Sequence, residues 1–191
     1  RSPQDGDSRP ERFFPIHTAH LADQLGNLLS RTAGMIGRYY DGVVPPAGEP
    51  DDRDDRDRRL IELADGLSGR VDDAMLAFAP HNALAAIWDV LEAANKYVVE
   101  VEPWSLAKRR DDPAVEARLA GTMYHLVEVL RLCAECLRPF LPGTSAAIAA
   151  RLDVRMSAAG PWREKVRWGG YPAPHRLADG GSLFPKLELE A

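Results

Sequence analysis

One face of the first predicted helix carries side chains that could recognise a planar polar ligand. On a helical wheel with Leu21 at zero, Asn27, Arg31 and Arg38 fall at about 240°, 280° and 260°. Gly34 falls beside them at about 220°. Because residues four apart are neighbours on a helix surface, the Asn27 amide and the Arg31 guanidinium could address one base edge, while Gly34 leaves room. The alternative is an ordinary solvated helix face.

The helix that would position these side chains is predicted from about Thr18 to Tyr40. Gly42 provides a stop signal, and the Pro45–Pro46 pair prevents its continuation. Its apolar residues fall within a sector of about 100° that lies well away from the polar side chains. These apolar-face residues are Leu21, Leu25, Leu28, Leu29, Thr32, Ile36 and Tyr39.

Apolar residues at helical spacing predict three more long helices, over about 58–78, 82–101 and 114–140, and a short helix that ends near residue 152. The last segment, residues 157–191, contains five Gly and four Pro, which favours extended or turn-rich structure. The sequence therefore predicts an all-α antiparallel helical bundle with an extended C-terminal tail.

The composition is typical of a protein with a hydrophobic core that lives in a reducing compartment. The 191 residues are 45 % hydrophobic and 28 % charged, with a net charge of −5. This acidic balance argues mildly against general binding to nucleic acid but leaves a local site open. No apolar run approaches the ~20 residues that cross a bilayer, and two cysteines are too few for a disulfide scaffold, which favours the cytoplasm. Since the first residue is Arg, we expect a piece of a longer protein.

Three other groups of residues allow a functional and a structural interpretation. Cys133 and Cys136 form a CxxC inside the fourth helix without a second cysteine pair, which favours buried core cysteines over a redox or metal site. His125 is interpreted as a boundary residue at the bundle surface. The run DDRDDRDRR (51–59) is interpreted as a solvated loop leading into a helix, with a docking strip as the alternative. The sequence contains no Gly-rich phosphate loop, GxSxG elbow or Glu-x-x-His pair, so we assign no catalytic or metal-binding residue.

Four blocks of the sequence resemble the C-terminal anticodon-binding domain of methionyl-tRNA synthetases. Residues 21–45 resemble its first helix and read LADQLGNLLSRTAGMIGRYYDGVVP. Residues 93–108 resemble its Asn-x-Tyr and Pro-Trp-x-x-Ala-Lys signature and read AANKYVVEVEPWSLAK. Residues 137–152 are similar to a Pro-Phe-Leu-Pro block that class I synthetases share more widely, and read LRPFLPGTSAAIAARL. Residues 168–188 resemble its closing segment and read WGGYPAPHRLADGGSLFPKLE.

The resemblance implies that Asn27, Arg31 and Trp104 recognise a CAU anticodon. In the family, an Asn and an Arg one turn apart on the first helix and the Trp of the Pro-Trp motif do so, and they match these positions. This is chemically reasonable because single-stranded loop bases can be stacked on an aromatic ring and read on their Watson–Crick edges. Arg38, further along the polar face, is expected to contact phosphate.

The resemblance also implies a division of roles within a longer enzyme. Residues 1–16 are expected to be a linker from a catalytic domain, residues 17–156 the helical bundle of the class I anticodon-binding type, and residues 157–191 a tail that packs back on the bundle or the catalytic domain. The His-x-Gly-His and Lys-Met-Ser-Lys-Ser signatures are missing, so catalysis and the use of ATP and Mg²⁺ are expected of the parent methionine–tRNA ligase and not of this chain. The expected partners are the anticodon loop of methionine tRNA and that catalytic domain, with no membrane.

Two other interpretations stay open. The chain could be a free-standing tRNA-binding or adaptor protein derived from such a domain, or a bundle that serves only as a protein-interaction module. The retention of Asn27 and Arg31 together with Trp104 argues against the last, because a scaffold needs none of them exposed. The sequence departs from the family before these positions, where Thr18, His20 and Asp23 stand in place of the usual Asn, Asp and Asn.

Overall fold

The computed structural model describes residues 21–49, 53–156 and 161–180. Helices dominate this part of the chain and form the predicted bundle, while β1 and β2 add one short antiparallel pairing of Val43 with Arg176 and Val44 with His175. The elements are a π-helical turn (Leu21–Gly26), α1 (Asn27–Tyr40), β1 (Val43–Val44), α2 (Asp55–Asp65), α3 (Leu67–Leu76), α4 (Pro80–Val101), α5 (Pro103–Ala107), α6 (Pro113–Leu137), α7 (Pro142–Leu152), α8 (Trp162–Lys165) and β2 (His175–Arg176).

Helix α6 lies at the centre of the bundle. Every residue from 121 to 137 is buried, so its side chains meet protein on all sides. Cys133 and Cys136 are fully buried in this stretch, which confirms their interpretation as core cysteines. Burial raises the pKa of the Cys133 thiol well above its ordinary value and that of Cys136 to about 12, so both thiols stay protonated.

The single helix predicted over 58–78 is in fact two helices, α2 and α3, which meet at Gly66. Helix α2 begins at Asp55 because Asp54 caps it: its side chain accepts hydrogen bonds from the backbone N–H groups of Arg56 and Asp57. Helix α3 ends at Leu76, two residues before Phe78 adopts a left-handed backbone with φ of 54°. The interpretation of this part of the charged run as a solvated loop is therefore wrong.

The first predicted helix begins, within the described residues, with a π-helical turn that its periodicity did not indicate. The predicted apolar face is confirmed from Leu25 onward, and Leu28, Leu29 and Ile36 are all buried. The chain leaves α1 through left-handed residues, Asp41 and then Gly42, before β1. The other predicted boundaries differ from the observed ones by three residues or fewer; α6, for example, ends at Leu137 and not at residue 140.

An ion pair attaches the closing segment to α6. Arg131 donates to both carboxylate oxygens of Glu128, at 2.7 and 2.8 Å, and to the backbone carbonyls of Lys165 and Arg167. Glu128 also accepts a hydrogen bond from the backbone N–H of Gly170 at 2.8 Å. A Cβ at Gly170 would lie 2.8 Å from Nη2 of Arg131, so a side chain there would displace the guanidinium from these partners.

The tail expected over 157–191 thus packs on the bundle where the structure describes it, in residues 161–180. The Trp168 and Tyr171 rings add aromatic contacts to His125 and Tyr124 on α6, with centroid distances of 5.8 and 6.5 Å. The expected linker, 1–16, lies outside the described residues. Among the helices of the described part, none is long and apolar enough to span a membrane.

Candidate nucleic-acid interface

Helix α1 displays the polar face that the wheel predicts. Asn27 and Arg38 are exposed and Arg31 is partly buried, while the opposite face of the helix lies in the core. Among the residues that the structure describes, none forms a hydrogen bond or ion pair with these three side chains, so their donors are available to a ligand. Gly34 is exposed between them, and nothing lies within 4 Å of where its Cβ would stand.

Trp104 lies on α5, directly after a sharp turn at the end of α4. Glu102 adopts a left-handed backbone with φ of 50° between the two helices, and Pro103, which is buried, begins α5. The Trp104 side chain remains 39 % exposed, and Val99 on the last turns of α4 is 59 % exposed. The accessible part of this ring could stack on a base.

Two hydrogen bonds join residues 95 and 110, on either side of α5, to the chain on either side of the polar face. Near one end, Asn95 donates to the backbone carbonyl of Gln24 in the π-helical turn at 3.1 Å. Near the other end, Arg110 donates to the carbonyl of Tyr39 at 2.6 Å. Asn95 and Arg110 flank Trp104 in the sequence, as Gln24 and Tyr39 flank Asn27 and Arg31. The two segments that carry the predicted site residues are therefore attached to each other at both ends.

Arg110 is itself held in place by a second set of contacts. Its guanidinium forms a two-pronged ion pair with Glu116, with both N···O distances at 3.0 Å, and lies 5.0 Å from the centre of the Tyr40 ring. Burial, together with the Glu116 charge, raises the pKa of Tyr40, so its hydroxyl stays protonated. Arg110 was not among the predicted site residues, and Asn95 had no predicted role although it belongs to the Asn-x-Tyr signature.

A cluster of buried polar side chains ties α2, α4 and α6 together. Asp57 is fully buried and accepts hydrogen bonds from Tyr97 and from Arg118. His125 Nδ1 lies 3.4 Å from the Tyr97 hydroxyl and 3.5 Å from the Asp57 carboxylate. Since His125 is only 1 % exposed, its interpretation as a surface boundary residue is wrong.

The protonation states of this cluster follow from its contacts. Burial alone would raise the pKa of Asp57, but hydrogen bonds from His125 and Tyr97 and the Arg118 charge outweigh it, and the pKa lies well below its ordinary value. Burial and the Asp57 charge raise the pKa of Tyr97, which therefore stays a donor. Asp57 is thus a carboxylate whose role is to hold three helices in register.

Comparison with known proteins decides the family. The sequence model of the anticodon-binding domain of methionyl-tRNA ligase matches residues 44–190. The chain belongs to this family. Trp104 lies inside the matched range, whereas Asn27, Arg31 and Arg38 precede it, so for these three the relation rests on the longer alignments below.

The family's relatives extend the match over α1. The chain is 37 % identical to methionine–tRNA ligase of Clostridium acetobutylicum over 186 residues, which are 97 % of this chain and 28 % of that protein. It is 37 % identical to the methionine–tRNA ligase of Streptococcus pyogenes serotype M1 over 188 residues, which are 98 % of this chain and 27 % of that protein. The chain therefore spans little more than a quarter of the length of these relatives.

A solved structure agrees with the assignment to the anticodon-binding domain family. Mycobacterium tuberculosis methionyl-tRNA synthetase, in complex with methionyl-adenylate, superposes with a TM-score of 0.80 at 34 % identity. The superposition covers 92 % of this chain and 33 % of that one. The likeness therefore extends over most of the chain.

Proposed function

We propose that this chain recognises the CAU anticodon of methionine tRNA as the anticodon-binding domain of a methionine–tRNA ligase. One observation carries the proposal beyond family membership. Asn27 and Arg31 have no partner among the described residues, Trp104 keeps an exposed ring, and hydrogen bonds on both sides attach the segments that carry them.

Each side chain has a distinct part in recognising the anticodon. Arg31 supplies donors for the acceptor groups of the cytosine edge, and Asn27 supplies both a donor and an acceptor. Trp104 offers a ring on which an unstacked loop base rests. Arg38, one to two turns beyond Arg31 and exposed, contacts a phosphate and carries no base identity.

The proposal extends to the parent protein. It attaches methionine to its tRNA with ATP and Mg²⁺ in a catalytic domain that this chain contacts, and it works in the cytoplasm. The names of the relatives support this activity, and the fraction of their length that lies outside the match leaves room for such a domain.

Replacing Arg31 with alanine is expected to weaken binding of a CAU anticodon stem-loop by about 1–3 kcal/mol, the usual value of a bidentate base contact. Binding of a stem-loop whose cytosine is replaced should change little, because that complex lacks the contact. Titration calorimetry of both stem-loops at fixed salt measures the two effects. Arg31→Lys is the matched control, since it keeps the charge without the planar fork. An equal loss for both stem-loops would show that Arg31 contacts the backbone and not the base.

Replacing Trp104 with alanine is expected to weaken binding of every anticodon by about 1–3 kcal/mol, because each base has a face that can stack. The same titrations should therefore show a loss that hardly depends on the base. Trp104→Phe keeps an aromatic ring and should recover part of the affinity. Unchanged affinity in Trp104→Ala would rule out stacking on this residue.

Replacing Arg38 with alanine is expected to lower the salt dependence of binding without changing the preference between stem-loops. A lost phosphate contact reduces the slope of log affinity against log salt by about 1. Titrations at a series of salt concentrations measure this slope. A change of base preference with an unaltered slope would contradict the assignment of Arg38 to phosphate.

A further inference from the structure

A groove of about 220 Å³ runs between α2 and α4, apart from the polar face of α1. Leu60 and Leu63 contribute to an apolar floor, and three cationic side chains line the groove. Two of these cations, Arg56 and Arg59, belong to α2, and the third, Lys96, belongs to α4. Cations therefore line both sides of the groove, above an apolar floor.

Hydrogen bonds between the walls build the groove before any ligand binds. The Tyr97 hydroxyl on α4 donates to Asp57 on α2 at 2.5 Å. One turn further along α4, the backbone carbonyl of Glu100 accepts a hydrogen bond from Arg56 at 2.7 Å. Because both walls are fixed in this way, the protein loses little conformational entropy when a ligand that fits the groove binds.

Two of the cations remain available to a ligand. Arg59 is exposed and makes no hydrogen bond or ion pair with any residue that the structure describes. Lys96 is 74 % exposed and lies 3.6 Å from the Glu100 carboxylate, a surface contact worth little. Arg56 is already engaged by Asp54 and Glu100. Arg59, unpaired among the described residues, and the weakly paired Lys96 stand across an apolar floor. They match a sugar–phosphate chain, whose phosphates accept hydrogen bonds while its sugar packs below.

The position of the groove favours nucleic acid over an acidic peptide. Glu100 lines the end of the groove that leads into the Glu102 turn, and Trp104 follows directly on α5. We propose that Arg59 and Lys96 bind the phosphate backbone of the same RNA whose loop base stacks on Trp104. This inference rests on the proposed function and adds to it a second, sequence-independent contact surface.

The double variant Arg59→Ala/Lys96→Ala tests the groove against two anticodon stem-loops, CAU and its cytosine-replaced form, at two salt concentrations that differ fourfold. The affinity of both stem-loops should fall by the same factor, and their ratio should stay that of the wild type, because phosphate contacts carry no base identity. With two phosphate contacts fewer, the fourfold rise in salt should weaken the wild type about tenfold more than the variant. Since both side chains are exposed, the urea midpoint of unfolding should not change.

The matched control is Arg155→Ala/Arg167→Ala, which removes two exposed cations that do not line this groove. It should leave affinity and salt dependence close to the wild type. A double variant of the groove that binds like the wild type, or that changes the ratio of the two stem-loops, overturns the groove proposal. Equal binding of the two stem-loops by the wild type overturns anticodon reading instead, and the effect of the groove variant on affinity then still decides the groove.

Discussion

Replacing Asp57 with alanine is expected to lower the free energy of unfolding by about 3–5 kcal/mol. The carboxylate is fully buried and accepts hydrogen bonds from Tyr97 and Arg118, which belong to two other helices. Its removal leaves the Arg118 guanidinium, whose side chain is only 17 % exposed, with Asp54 as its remaining carboxylate partner. Because such a loss approaches the whole stability of many domains, urea unfolding should show a much lower midpoint.

The control for this prediction is Asp55→Ala, on the same helix turn. Asp55 is exposed and, among the described residues, pairs with the exposed Arg58 at 3.3 Å, so its loss should cost less than about 1 kcal/mol. Acid titration adds a second readout. Since the folded pKa of Asp57 is lowered, its contribution is present above its unfolded pKa of about 3.9 and is lost as the pH falls towards the folded value. The wild type should therefore lose stability in acid more steeply than Asp57→Asn. If Asp57→Ala and Asp55→Ala lower the free energy of unfolding by the same amount, the role assigned to Asp57 is wrong.

Replacing Glu128 with alanine is expected to cost a similar 3–5 kcal/mol and to release the closing segment. The carboxylate is fully buried, pairs with Arg131 through two hydrogen bonds, and accepts the backbone N–H of Gly170. Without it, the buried Arg131 keeps its hydrogen bonds to the carbonyls of Lys165 and Arg167 and the weaker attraction of the Glu135 charge. Residues 161–180 should then become sensitive to a protease that does not cut them in the wild type.

The conservative variant Glu128→Gln separates charge from hydrogen bonding. It keeps an acceptor for Gly170 but loses the charge opposite Arg131. Its free energy of unfolding should therefore lie between those of the wild type and Glu128→Ala. Limited proteolysis read by mass spectrometry locates the cleavage. If Glu128→Ala destabilises the protein but the closing segment resists cleavage as before, the ion pair does not hold that segment.

The sequence predicts well those features that depend on residues close together in the chain. The apolar period of α1 predicted its buried face and the exposure of Asn27, because both follow from the 3.6-residue turn of one helix. Cys133 and Cys136 were correctly placed in the core for the same reason. The π-helical turn before α1 escaped this reasoning, since its wider turn changes the period over only six residues.

The main error of the sequence-based predictions was to place buried polar residues at the surface. Their burial depends on partners that are distant in the sequence. In the sequence, Asp57 is one of five Asp in a run that was interpreted as solvated. Its hydrogen-bond donors, Tyr97 and Arg118, lie 40 and 61 residues further along the chain. His125 reads as a surface residue for the same reason. The hydrogen bonds of Asn95 and Arg110 could not be predicted from the sequence either, because their acceptors are backbone carbonyls, which every residue has.

The most direct test of the central claim is the affinity of the wild-type chain for two anticodon stem-loops that differ only in the cytosine of CAU. Calorimetric titration should be done at one fixed salt concentration, because the electrostatic part of binding varies with salt. The CAU stem-loop should bind more tightly by roughly tenfold or more, the value of one good base contact. Equal affinities would contradict the reading of the cytosine by Asn27 and Arg31.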